Sequence, residues 1–249
     1  MENMEETKVT EQSFDSQGIT GLEIYAKKGC ITLAAGKPGE EIRVKAVKED
    51  GTGGQVMVAV AGGIMRITAK GNGFFTCGEQ GVIVSAPPSI RTDIKAGAGD
   101  IKVLNMENGL DIKTGTGDVQ LAGCAGKLSL SSGTGDLSGT TSSNETYIKI
   151  GTGDVRLSGL TGSADIKSGS GDIELVWAAL PGNGECRIMA GSGDVTLRFP
   201  GGAKINATIK AGSGDVANSL PQTPDGFPVL VMCGSGDVKI SDTVQAKAS

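Results

Sequence analysis

The tetrapeptide Gly-x-Gly-Asp is written eight times between Gly97 and Asp237, closing at Asp100, Asp118, Asp136, Asp154, Asp172, Asp194, Asp215 and Asp237. Successive aspartates lie 18, 18, 18, 18, 22, 21 and 22 residues apart. Self-similarity at a fixed short period signals stacked supersecondary units, none of which can bury its apolar face alone. Aligned on the aspartate, the residue before it and the residue three before it are always Gly, and the one between is Ala, Thr or Ser. The residue after it is branched aliphatic in every copy, from Ile101 to Val238, and the residue six before it is Ile, Leu or Val throughout.

Each repeat therefore holds two short runs in which apolar and polar residues alternate, which is the pattern of a strand with one buried face. The paired glycines between the runs mark a turn that needs positive φ or close backbone approach. Two strands and two turns in 18 residues make one flattened coil. Successive coils are expected to pair in parallel about 4.8 Å apart, with a right-handed wind. The predicted fold class is all-β: a right-handed parallel β-solenoid with coils of about 18–22 residues. Glycine at 41 residues and aromatics at 3% fit tight turns around a thin aliphatic core.

Along the chain, residues 1–19 read as a polar tail and 20–89 as a β-rich cap. Residues 90–241 carry the GxGD coils, and 242–249 form a polar end. In the cap, LEIYA, CITLAA, EIRVKAV, QVMVAVA, IMRITAK and VIVSA are separated by short turn signals, which predicts mainly antiparallel hairpins. Such a cap would shield the open edge of a terminal coil. Each coil is expected to stack on the next in chain order, ending with the coil begun by Val238. The three longer repeats carry their extra residues in VWAALPGNGE, RFPGGAKIN and ANSLPQTPDGFP, which are expected to protrude at one edge.

A net charge of −5 argues against non-specific nucleic-acid binding and against anionic membrane surfaces. No apolar run reaches the roughly 20 residues of a membrane span. The acidic, polar opening MENMEETKVTEQ reads as no signal peptide. Cys30, Cys77, Cys124, Cys186 and Cys233 contain no CxxC and read as reduced thiols. Both features point to a cytoplasmic location.

The segment VIVSAPPSIRTDIKAGAGDIKV, followed by repeated G[ST]GD[IV], resembles a bacterial family of candidate adhesins. These are β-strand-repeat proteins with GSGD repeats, classed as a domain of unknown function. The upstream GCITLAAGKPGEEIRVKAV is similar to that family's N-terminal strands, so the likeness spans roughly residues 20–241. The resemblance implies a β-solenoid at or near the cell envelope and no established enzymatic activity.

Three features could carry chemistry. The aspartates could accept backbone amides, as Asp does in turns, or form a calcium-binding ladder. Carboxylates about 4.8 Å apart repel by roughly 1 kcal/mol per pair even in water, so something must compensate. Outward lysines five before the aspartate, Lys95, Lys113, Lys149, Lys167 and Lys210, are expected to pair with Asp93, Asp111 and Asp165 or to stay solvated. Trp177 and Phe199 share one register and should stack. With Phe227, Met189, Leu230 and Met232 they make a more apolar exterior, a candidate binding or assembly patch or else a surface covered by the long loops. The chain has no histidine, which excludes histidine-based triads and zinc-histidine sites. The reading is a non-enzymatic, adhesin-like binding or scaffold protein without a cofactor, whose partner is a protein or a glycan. Alternatives are a self-assembling structural solenoid joined through terminal coils or the long-loop edge, a calcium-ordered module and a carbohydrate-active module.

Overall fold

The computed structural model describes residues 7–37, 39–47, 56–69 and 81–243. Every regular element among them is a β-strand. The chain divides into two compact units, Met1–Ala125 and Gly126–Ser249.

The first unit holds β1 (Thr7–Val9), β2 (Glu11–Phe14), β3 (Gly21–Lys28), β4 (Ile31–Ala35), β5 (Ile42–Val47) and β6 (Val56–Ala61). It continues with β7 (Ile64–Ala69), β8 (Gly81–Ala86), β9 (Arg91–Ala98), β10 (Ile101–Leu104), β11 (Leu110–Thr116) and the start of β12 (Val119–Thr134). Strands combine in pairs as rungs. In space the order is β7/β8, β3/β4, β9/β10, β11/β12, each rung meeting the next through parallel ladders. Ile24, Ile67, Ile94 and Ile112 line up across four strands and are fully buried. Burying one such side chain contributes about 1.5–3 kcal/mol.

Antiparallel pairing in the first unit takes in only part of the segment 20–89, and it includes β1 and β2 from the stretch read as a polar tail. It consists of β6 on β7, β5 on β8, β1 on β6 and β2 on β5. By contrast, β3, β4, β7 and β8 pair in parallel and belong to rungs. The sequence hid this because the β3–β4 corner departs from the repeat. Ile31 pairs with Ile101, which puts Cys30 in the place of Asp100 and Gly29 in the place of Gly99. Gly29 keeps the positive φ of the turn, 111° against 131° at Gly99.

The second unit holds β13 (Leu137–Thr152), β14 (Val155–Leu160), β15 (Ser163–Ser170), β16 (Ile173–Trp177) and β17 (Cys186–Ser192). It ends with β18 (Val195–Phe199), β19 (Ile205–Ser213), β20 (Val216–Asn218), β21 (Phe227–Ser235) and β22 (Val238–Asp242). The first half of β13 pairs with β14 as the rung before it, and from there the spatial order is the second half of β13 with β14, then β15/β16, β17/β18, β21/β22, β19/β20. The last rung in the chain is thus slotted between two earlier ones, and the expectation of chain-order stacking is corrected. The last two spacings, 21 and 22 residues, belong to chain that steps past a rung position and returns, whereas the first 22-residue spacing joins the adjacent rungs β15/β16 and β17/β18. In the first unit β3/β4, the first rung in sequence, likewise lies between β7/β8 and β9/β10. Burial marks the end rung. Val155, Ile173, Val195 and Val238 are at most 1% exposed, whereas Val216 is 50% exposed.

The two glycine rows do different work. Gly171 sits at φ 125°, a conformation that L side chains rarely adopt. Gly169 is not so constrained, but a Cβ there would collide with the Gly151 carbonyl oxygen of the neighbouring rung.

The cysteines do not all read as expected. Cys124, Cys186 and Cys233 are buried thiols outside any disulfide, and burial pushes the Cys186 thiol strongly upward. Cys30 is disulfide-bonded, which corrects the reading of five reduced thiols. Alternation along a strand identifies inward positions but carries no information on which of them meet through space. Cys77 lies outside the described residues.

Candidate binding face

The aspartates are built into the corners of the rungs. The backbone N–H of Asp118 donates to Asp100 Oδ1 at 2.9 Å in the first unit. In the second unit Asp154 donates to Asp136, Asp172 to Asp154, Asp194 to Asp172, Asp237 to Asp194 and Asp215 to Asp237, all at 2.8–2.9 Å. Each such carboxylate thus takes a backbone donor from the next corner, a charge-assisted bond that offsets the repulsion along the row. Asp154 shows the effect in its titration. The Asp172 amide first, and then the Arg156 guanidinium 2.8 Å away, hold its carboxyl below the ordinary carboxylate value. Among the described residues no group of three or more His, Cys, Asp or Glu side chains is placed to hold a metal ion.

The aromatic part of the expected patch is not on the surface. Trp177 and Phe199 do stack, with centroids 4.7 Å apart and planes 22° from parallel. Phe227 meets both rings at 6.1–6.4 Å. All three are buried, at 1%, 0% and 8% exposure. Trp177 Nε1–H donates to the Gly162 carbonyl at 2.9 Å. On these two coils the residue five after the aspartate turns inward, and the rings close the core where the long loops leave the rungs.

What remains outward is the other half. Met189 and Met232 are 36% and 41% exposed and directly paired across β17 and β21, while Leu230 is half-buried. In spatial order the outward row reads Lys149, Lys167, Met189, Met232, Lys210. Two residues further along each strand stand Gly151, Gly169, Gly191, Gly234 and Gly212. With no side chains there, the row is a floor, and beside the Lys/Met row it forms an open trough of about 780 Å³. Ser and Thr hydroxyls, from Thr152 to Ser213, follow on the far side, and the aspartate corners lie beyond them.

The charges along this trough differ from those of the first unit. Lys95 and Lys113 are held by Asp93 and Asp111 at 3.4 Å. Lys149 and Lys210 follow Tyr147 and Thr208 at the equivalent position, and Lys167 follows Asp165 without reaching ion-pair distance. Among the described residues none of these three lysines forms an ion pair. The row of lysines was legible in the sequence. The trough was not, because the glycine row beside it reads as a turn signal.

A model of the family described as Toastrack DUF4097 matches residues 19–241. The chain belongs to the Toastrack DUF4097 family. No curated protein matches it. Two solved structures are similar to this Toastrack chain. One is described as a candidate cell adhesion protein from Clostridium sporogenes, 12% identical, with 97% of this chain and 100% of that one covered and a TM-score of 0.33. The other is described as a candidate lipid binding protein from Parabacteroides distasonis, 8% identical, with 97% of each chain covered and a TM-score of 0.29. No helix among the described residues of the Toastrack chain is long and apolar enough to cross a membrane.

Proposed function

We propose that this Toastrack chain is a non-enzymatic binding module, adhesin-like in action, whose rungs are coils of a right-handed β-solenoid and whose binding site is the trough of the second unit. The observation that carries the reading is the pair Met189 and Met232. Two flexible apolar side chains stand in solvent beside a glycine floor, in a row otherwise occupied by lysines. Exposed methionines adapt to the shape of a partner, and the trough falls within the roughly 300–1,000 Å³ of ligand sites. The aspartates support the scaffold, since their carboxylates are engaged by backbone amides. The disulfide at Cys30 supports work in an oxidising compartment, such as the outer side of a bacterial membrane.

The test is direct. Wild type and the double variant Met189→Gln/Met232→Gln are compared on a glycan array and on purified cell-envelope fractions. Retained far-UV dichroism with lost binding supports the trough. Equal binding by both proteins removes it. A glycan-hydrolysis screen addresses the enzymatic alternative, and turnover of any glycan would replace the present reading.

A second reading, self-assembly, rests on β19/β20. Among the described residues this rung has a full strand neighbour, β21/β22, on one side only, and Val216 is left exposed. A loop begins to cover it through the Ile205–Gln222 bridge. Sedimentation at several concentrations distinguishes a monomer from an assembly through this edge.

A further inference from the structure

From the trough's own chemistry, and resting on its role as the binding site, we infer that its ligand is a single-chain amphiphile with an anionic head, such as a free long-chain carboxylate. Three features converge. The floor is made of glycine backbone, and the surface lining the trough is overwhelmingly apolar. It offers a ligand apolar Cα surface and little polar surface, which suits a hydrocarbon chain better than a sugar or a peptide backbone. The wall beside it is apolar at its middle, at Met189 and Met232, and cationic at both ends, at Lys149 with Lys167 and at Lys210. Five rungs about 4.8 Å apart give the trough a length of roughly 19 Å, the scale of an extended acyl chain rather than of a compact solute.

Charge decides the head. The protein is acidic overall, and the aspartate corners run along the far side of the hydroxyl row. An anion is therefore repelled from that side and drawn to the lysines. Lys149 and Lys167 stand on adjacent strands and are without ion pairs among the described residues, so a carboxylate or phosphate head can bridge them without displacing an internal partner. A cationic head would face two lysines, offset only in part by Asp165 beside Lys167. The tail then lies over Gly169, Gly191 and Gly234, against the two methionine side chains.

The experiment is titration calorimetry of the full chain with dodecanoate and tetradecanoate below their micelle concentrations. Tetradecanol and tetradecyltrimethylammonium serve as head-group controls, and phosphatidylglycerol vesicles as a bilayer control. The expected result is saturable binding of the carboxylates, tightening roughly two- to fourfold per added methylene and at least tenfold weaker for the alcohol and the ammonium. Met189→Gln/Met232→Gln is expected to abolish the chain-length dependence. Lys149→Gln/Lys167→Gln should abolish the head-group preference while leaving the chain-length dependence. All four substitutions sit on outward positions, and far-UV dichroism reports whether the fold is kept.

Absence of saturable carboxylate binding, indifference to head charge, or binding to vesicles without binding of the free amphiphile would each overturn the inference. If amphiphiles fail but a glycan or envelope component binds and is lost in the methionine variant, the ligand class falls and the trough stands. If no binding depends on the methionines or the lysines, both fall.

Discussion

Replacing Trp177 with alanine asks whether the aromatic cluster is core or contact surface. The indole is 1% exposed, stacked on Phe199 and bonded to the Gly162 carbonyl. Burying a tryptophan removes about 150–250 Å² from water, which at about 25 cal/mol/Å² is roughly 4–6 kcal/mol. Alanine keeps a small part of this, and partial collapse of the cavity recovers some more, so the expected loss is about 3–5 kcal/mol. The Gly162 carbonyl, left without its donor, adds about 1 kcal/mol. Trp177→Phe keeps a stacked ring but not the donor, and should cost about 1–2 kcal/mol. The chain has one tryptophan, so wild-type fluorescence follows this cluster alone while far-UV dichroism follows every strand. Urea titrations by both probes are compared, because stacked rungs need not unfold in one step. The alanine variant should show a dichroism midpoint far below wild type, with Trp177→Phe between them. A loss under about 1 kcal/mol for Trp177→Ala would refute the assignment of these rings to the core and return them to the surface patch expected from sequence.

Three further outcomes are expected. Gly169→Ala forces a methyl group onto the Gly151 carbonyl and should cost about 1–3 kcal/mol by overpacking, whereas Gly182→Ala, with nothing within 4 Å and an unconstrained φ, should leave the thermal midpoint unchanged. Asp154 has a folded pKa below its unfolded value near 3.9. Its contribution is therefore complete at neutral pH and lost as pH falls through the folded value, so wild-type stability should drop on acidification below about pH 4 and Asp154→Asn should flatten part of that drop in urea titrations. Alkylation under denaturing, non-reducing conditions should modify Cys124, Cys186 and Cys233 and spare Cys30, as read by peptide mass spectrometry. Labelling of Cys30 would contradict the disulfide.

The all-β character and the inward positions were legible because a strand's side-chain period is short and strict. Ile94, Ile112, Ile148, Ile166 and Ile188 were all placed inward and all are buried. Stacking of Trp177 on Phe199 followed from shared register, but their burial did not, since which face the chain presents after the strand depends on how the loop leaves it. The rung β3/β4 was missed because Cys30 and Lys27 replace the Asp and Gly that mark other corners, while the backbone turn at Gly29 is kept. The trough was missed because it arises from what glycine lacks, repeated on neighbouring strands. The order of the rungs was illegible for a deeper reason. Every repeat presents the same ladder to its neighbours, so no local signal says that β21 rather than β19 lies against β17.

The interleaving at the C-terminal end has a consequence for synthesis on the ribosome. When β19 emerges, β17 already offers it a matching ladder, yet in the finished protein that position belongs to β21, which is made later. A nascent chain that filled the vacancy early would close the gap on the wrong tenant, and the latecomer would have to add on outside it. Stopping translation after Ser219 therefore does not shave off an outermost layer. It withdraws one from the middle and leaves the two flanking it to choose between meeting directly and staying apart.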